Sequence, residues 1–195
     1  MIRLKKYLVV YGSLLVVLLC LVGVVYAAFS DKGKVLGSSF SVGNADIKFL
    51  VEPSLGIDSS NLADEMPGPS FTNIGQNWQK DYPIKIYNNG TYQMKLTSHS
   101  NYLTVNDPDD LRTYIYAEFF PWNDTNNDGV PGENEFGVSL GRKTITKWKT
   151  EGFDVGAFTP GEVKGLVIRF STDSLSDSKQ ARNAIYDFEF DSIEL

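Results

Sequence analysis

The twelve residues Asp124-Thr125-Asn126-Asn127-Asp128-Gly129-Val130-Pro131-Gly132-Glu133-Asn134-Glu135 carry the sharpest chemical pattern in this chain. When such a segment coils, the side-chain oxygens of Asp124, Asn126 and Asp128 converge on one cation. Gly129 then permits the sharp turn, the Val130 carbonyl adds a ligand, and Glu135 closes the site with two oxygens. Hard oxygen donors at this spacing suit Ca2+. Two features pull the other way. The flanks Tyr114–Phe120 and Phe136–Leu140 read as strands rather than helices, and Pro131 stands where a calcium loop usually has an apolar residue. The competing reading is a solvated acidic turn, because Asn, Asp and Gly favour turns for local reasons.

Other chemistries find less support. His99 is the only histidine, so a zinc-protease helix of H-E-x-x-H type is excluded, and the residue reads as a surface histidine. No G-x-S-x-G nucleophile elbow occurs. The 24 acidic residues offer carboxylate pairs for glycoside cleavage, but no spacing singles one out. Trp78, Trp122 and Trp148 could stack on sugar rings, although large aromatics in a β-rich chain more often fill or edge the core. Asn89-Gly90-Thr91 and Asn123-Asp124-Thr125 match a glycosylation acceptor and fall in turn-rich stretches where such tripeptides arise by chance. The expectation is a protein without catalysis.

The elements that would position these residues are strands. Ala45, Ile47, Phe49 and Val51 alternate with Asp46, Lys48 and Leu50. Pro83–Tyr87 and Tyr92–Thr97 flank Asn88-Asn89-Gly90-Thr91, whose tolerance of positive φ predicts a β-hairpin turn. Further strands are expected over Thr113–Phe120, Gly165–Ser171 and Ala184–Leu195. In the last of these Tyr186, Phe188 and Phe190 share one face, and Asp187, Glu189 and Asp191 the other. Short helices fit around Ile57–Ala63, Asp109–Arg112 and Ser176–Arg182. Glu52–Gln76 is a long connection of the kind that is usually functional or mobile. Several short strands between such turns predict an all-β, two-sheet antiparallel sandwich in jelly-roll or Greek-key style.

The N-terminus predicts export. Arg3, Lys5 and Lys6 precede an uncharged apolar run from Tyr7 to Phe29, a polarity that sends the following chain outward. At roughly 20 residues the run can span a bilayer, and Val25 and Ala27 offer small side chains for signal-peptidase cleavage before Ala28. Residues 1–27 are therefore read as a signal peptide, with a retained membrane anchor as the alternative. Cleavage removes three of the 18 basic residues and none of the 24 acidic ones, which leaves 15 against 24 and a net charge of −9. Such a surface repels phosphate backbones, so nucleic acid is not an expected partner. Cys20, the sole cysteine, lies within the apolar run, so the secreted part has no disulfide and no thiolate site.

Several segments together resemble the TasA/camelysin family of secreted proteins. They are Val25-Tyr26-Ala27-Ala28-Phe29-Ser30-Asp31 at the signal end, Ser39–Lys48, Ile84–Thr91, Phe158-Thr159-Pro160-Gly161-Glu162-Val163-Lys164-Gly165-Leu166, and the ending Asp187-Phe188-Glu189-Phe190-Asp191-Ser192-Ile193. The resemblance implies cleavage by a SipW-type signal peptidase, a jelly-roll fold, and polymerisation into extracellular biofilm-matrix fibres by donor-strand exchange. Asp124–Glu135 and Glu52–Gln76 depart from the family pattern, as does Gln180-Ala181-Arg182-Asn183 where a Q-G pair is usual. On this reading residues 28–37 form a polymerising arm with Phe29, Val35 and Leu36 as apolar anchors, and residues 38–195 form the sandwich. The protein's partner is then itself, head to tail, and it touches a membrane only before cleavage. The rivals are a membrane-anchored monomeric β-sandwich binding domain and a secreted hydrolase.

Overall fold

Alternating apolar and polar residues build two antiparallel sheets, seen in a computed structural model that describes residues 44–179 and 181–195. The expected signal peptide, its cleavage residues Val25, Ala27 and Ala28, and the arm residues Phe29, Val35 and Leu36 lie outside the described residues. The larger sheet uses β1 (Ile47–Leu50), β2 (Leu62–Ala63), β3 (Gln79–Asn88), β5 (Ile115–Trp122), β6 (Arg142–Thr144) and β8 (Val163–Thr172). Their spatial order is β2-β1-β3-β8-β5-β6. The smaller sheet has the order β7-β4-β9, from Phe153–Phe158, Met94–Asn101 and Asp187–Glu194. The described residues are thus mostly β with little helix, as the alternation predicts.

Inward positions at period two supply the core. Ile84 and Ile86 of β3, Ala117 and Phe119 of β5, and Leu166, Ile168 and Phe170 of β8 meet Met94 and Leu96 of β4 and Phe153, Val155 and Phe158 of β7. One end is capped by α1 (Ile145–Glu151), which buries Ile145 and Trp148. Thr144 starts that helix by accepting the Lys147 N–H at 3.2 Å, and Ser100 Oγ donates to the Ile145 carbonyl at 2.7 Å. The short helices expected near residues 57–63, 109–112 and 176–182 appear as single 3₁₀ turns, Ser59–Asn61, Leu111–Thr113 and Asp177–Lys179.

Two expectations are corrected. Asn88–Thr91 does not make a hairpin, because β3 and β4 belong to different sheets and the segment between them crosses the sandwich. Asn88 is fully buried and holds this arch. Its amide donates to the Tyr92 and Phe158 carbonyls at 3.1 and 2.9 Å, and its side-chain oxygen accepts the Gly90 N–H at 2.9 Å. Turn-prone residues fix a reversal of the chain and leave open which strands it joins. Phe136–Leu140 is not a strand either. Phe136 bridges to Trp122, and Gly137 and Leu140 donate to the Pro121 and Phe119 carbonyls at 2.7 and 2.8 Å, an irregular alignment along β5 that leaves Val138 87% exposed.

Candidate functional site

Three buried residues, Leu50, Trp122 and Val167, lie outside the core cluster between the sheets. Alternation explains this: their neighbours Phe49, Leu166 and Ile168 pack with the core, so these three point to the opposite face of the larger sheet. Parts of Glu52–Gln76 and of Asp124–Glu135 fold over that face. The Glu52 end is knotted by Asn61, which takes the Glu52 N–H at 2.8 Å and donates to the Glu52 and Gly56 carbonyls. Gly129 packs its α-carbon against Ser54 at φ 74°, a position with neither the room nor the backbone angle for a side chain. Gly165 does the same beneath Trp122, whose carbonyl occupies the space a Cβ would need.

Lys85 joins the two segments. It projects from β3 to the Asp124 carboxylate at 2.7 Å and the Pro53 carbonyl at 2.8 Å, with its ammonium 5.1 Å from the Trp122 ring centre. Burial works to raise the Asp124 carboxyl. The Lys85 ammonium and the Gly129 and Asp128 N–H groups outweigh it and hold the acid below its ordinary value. Sequence reading missed Lys85, since a lysine between Ile84 and Ile86 reads as a solvated outward residue.

The calcium-pattern residues coil as their spacing demands, yet each already has a partner. Asp124 accepts the Asp128 and Gly129 N–H groups at 3.1 and 3.0 Å. Asn126 also accepts from Asp128, and Asp128 accepts the Val130 N–H at 2.8 Å. Glu135 is turned to Gly132 N–H, Trp122 Nε1 and the backbone and hydroxyl of Thr125. Those donors, Gly132 foremost, hold its carboxyl down to about 2. Asp124 and Glu135 are buried, whereas Asn126, Asp128 and Val130 are exposed. Among the described residues no three His, Cys, Asp or Glu side chains converge as a metal-ligand group. As arranged, Lys85 pairs with Asp124, and N–H groups of the loop occupy the Asp124, Asp128 and Glu135 carboxylates.

The remaining candidate residues fall elsewhere. His99 is half-buried on β4, with its ring against Gly152. Trp148 is in the core and Trp122 under the outer layer, so neither offers a ring face to a sugar. Trp78 is half-buried beside Phe71, ring centres 5.0 Å apart.

One recess is a groove of about 1260 Å³ between the two sheets. It is bounded by Ile47 and Phe49 of β1, Phe188 and Phe190 of β9, and the connections through Phe71 and Tyr186. β9 pairs with β4 along one side only, and among the described residues no strand pairs with its other side. Half-buried aromatic rings therefore lie beside a row of backbone donors and acceptors that no described strand pairs. Such a juxtaposition has the chemistry that strand addition uses. No protein-family model matches the chain, and no curated protein matches it in sequence.

Proposed function

We propose that this protein is a secreted, fibre-forming structural protein of an extracellular matrix or cell surface, whose subunits join by strand addition. One observation carries the reading: the groove lined by Phe49, Phe188 and Phe190 beside the edge of β9 that no described strand covers. The occupant is the arm of residues 28–37 from a neighbouring copy, released when a signal peptidase cuts before Ala28. An extended peptide there gains main-chain hydrogen bonds while alternate side chains fill the groove. Donor and acceptor surfaces differ, so the contact repeats head to tail into a filament. We also infer a jelly-roll winding, supported by the order β3-β8-β5-β6 beside β4-β7 and by chain crossings between the sheets. The resemblance to the TasA/camelysin family points the same way.

The chain shortened to begin at Ser38 is expected to fold, remain monomeric and form no filaments. A soluble peptide of residues 28–37 should bind it and block assembly of the protein beginning at Ala28. Negative-stain microscopy and sedimentation read both outcomes. Identical filaments from the shortened chain would place assembly on other surfaces.

We further propose that calcium competes with Lys85 for the Asp124–Glu135 coil, since Asp124, Asn126 and Asp128 already wrap one turn of backbone. At free calcium about tenfold above Kd the gain is about 1.4 kcal/mol, a rise of a few degrees in melting temperature. Asp128→Ala, at an exposed ligand position, should remove that rise. Superimposable melting curves in calcium and in chelator would leave the loop as an acidic turn.

A further inference from the structure

We infer that the groove selects its strand by charge: the outward carboxylates of Asp187, Glu189 and Asp191 on β9 recognise the Lys32 and Lys34 pair of the arm. The inference rests on the strand-addition reading and adds the chemistry by which the edge tells this arm from other peptides.

The observation is the free edge itself. Along β9, Phe188 and Phe190 turn toward the core, and Asp187, Glu189 and Asp191 are exposed on the opposite face. Across β4 they stand opposite Asn101, His99 and Thr97. None of the ion pairs among the described residues reaches any of the three. Glu189 takes only the neutral Asn101 amide, at 2.8 Å. Lys95, opposite Ile193, is paired with Asp154 on the far side of β4. Lys149 donates to the Asn101 side-chain oxygen and the Tyr102 carbonyl rather than to a carboxylate of the row. Six other exposed acids among the described residues sit in ion pairs, whereas these three share one face of a strand whose outer edge no described strand covers.

Such a row has two effects. It repels the β9 of another copy, because like charges face each other when two acidic edges meet. It also attracts a strand with cations two residues apart, the spacing at which side chains on one strand share a face. Lys32 and Lys34 have that spacing, and in an added strand that turns both lysines outward Gly33 faces the groove. A glycine there lets the incoming backbone approach the Phe188 and Phe190 rings closely. Val35, one residue on, shares the inward face. Ala45, next to the first described residue, lines the groove.

The test uses charge exchange within the full protein beginning at Ala28. The double variant Lys32→Glu/Lys34→Glu and the double variant Asp187→Lys/Asp191→Lys should each assemble at least about tenfold more slowly than the parent. The chain carrying all four changes should recover to within about threefold of the parent, because attraction is restored with reversed sign. The parent's assembly rate should fall as salt is raised. Unchanged melting temperatures would show that the β9 substitutions, all at exposed positions, leave the fold intact. Parent-like assembly by both double variants, or no recovery in the fourfold variant, would overturn the inference. Val35→Pro separates it from the reading beneath it, since it removes a backbone donor without altering charge. Normal filaments from Val35→Pro would defeat strand addition altogether. Loss of filaments in Val35→Pro beside normal filaments in the charge variants would defeat only the recognition by charge.

Discussion

Replacing Lys85 with methionine is expected to cost about 3 kcal/mol of stability and to lower the melting temperature by roughly 10 °C. The loss comes from what stays behind. The Asp124 side chain is 1% exposed, and without Lys85 its negative charge faces the outer layer with only the Asp128 and Gly129 N–H groups to balance it. Removing one partner of a buried pair is far more damaging than replacing both. The double variant Lys85→Met/Asp124→Asn should therefore recover most of the loss, with a coupling of at least about 1.5 kcal/mol in a double-mutant cycle. Hydrogen exchange should quicken first in residues 51–61 and 123–135, ahead of the core strands. A single-variant cost below about 1 kcal/mol would mean that the pair behaves as a solvated one.

Trp148→Ala should be the more damaging change, costing about 4 kcal/mol through a cavity at the capped end of the sandwich. The indole stacks on Phe188 at 4.6 Å and 19°, and meets Phe119 edge-on at 5.1 Å. It thus links α1, the larger sheet and the edge strand of the smaller one. Trp148→Phe should cost less than half as much, since Nε1 has no hydrogen-bond partner among the described residues and only ring volume is lost. Because Phe188 belongs to β9, Trp148→Ala should also weaken capture of the 28–37 peptide. Urea unfolding and peptide titration measure the two effects separately. Unfolding midpoints equal to the parent's would remove Trp148 as the link.

The alternation of Ile47 and Phe49, of Ile84 and Ile86, and of Phe188 and Phe190 was legible because period-two burial is written directly into residue type. Pairing was not. Asn88-Asn89-Gly90 specifies a reversal equally well within one sheet or across two, and the buried contact of Asn88 with Phe158 lies 70 residues away. Helix α1 escaped notice because seven residues with two buried positions are too few to establish a helical period. The calcium pattern was visible residue by residue, but its partner Lys85 was not, since nothing local says which loop will cover an outward lysine. The groove is likewise a property of sheet order, unreadable until β9 is known to be an edge.

The central strand of the larger sheet also governs when this protein can fold. β3 and β5 are not neighbours; each pairs with β8, so Ile84 waits for Leu166 and Phe119 for Ile168. The smaller sheet has the same dependence, since β4 pairs with β7 and β9. A growing chain can pair β1 with β2 and β3, and β5 with β6, but these two halves stay unjoined until β8, ending at Thr172, is made. Dominance by such distant pairings places folding in the millisecond-to-second range and makes it an event of the completed chain.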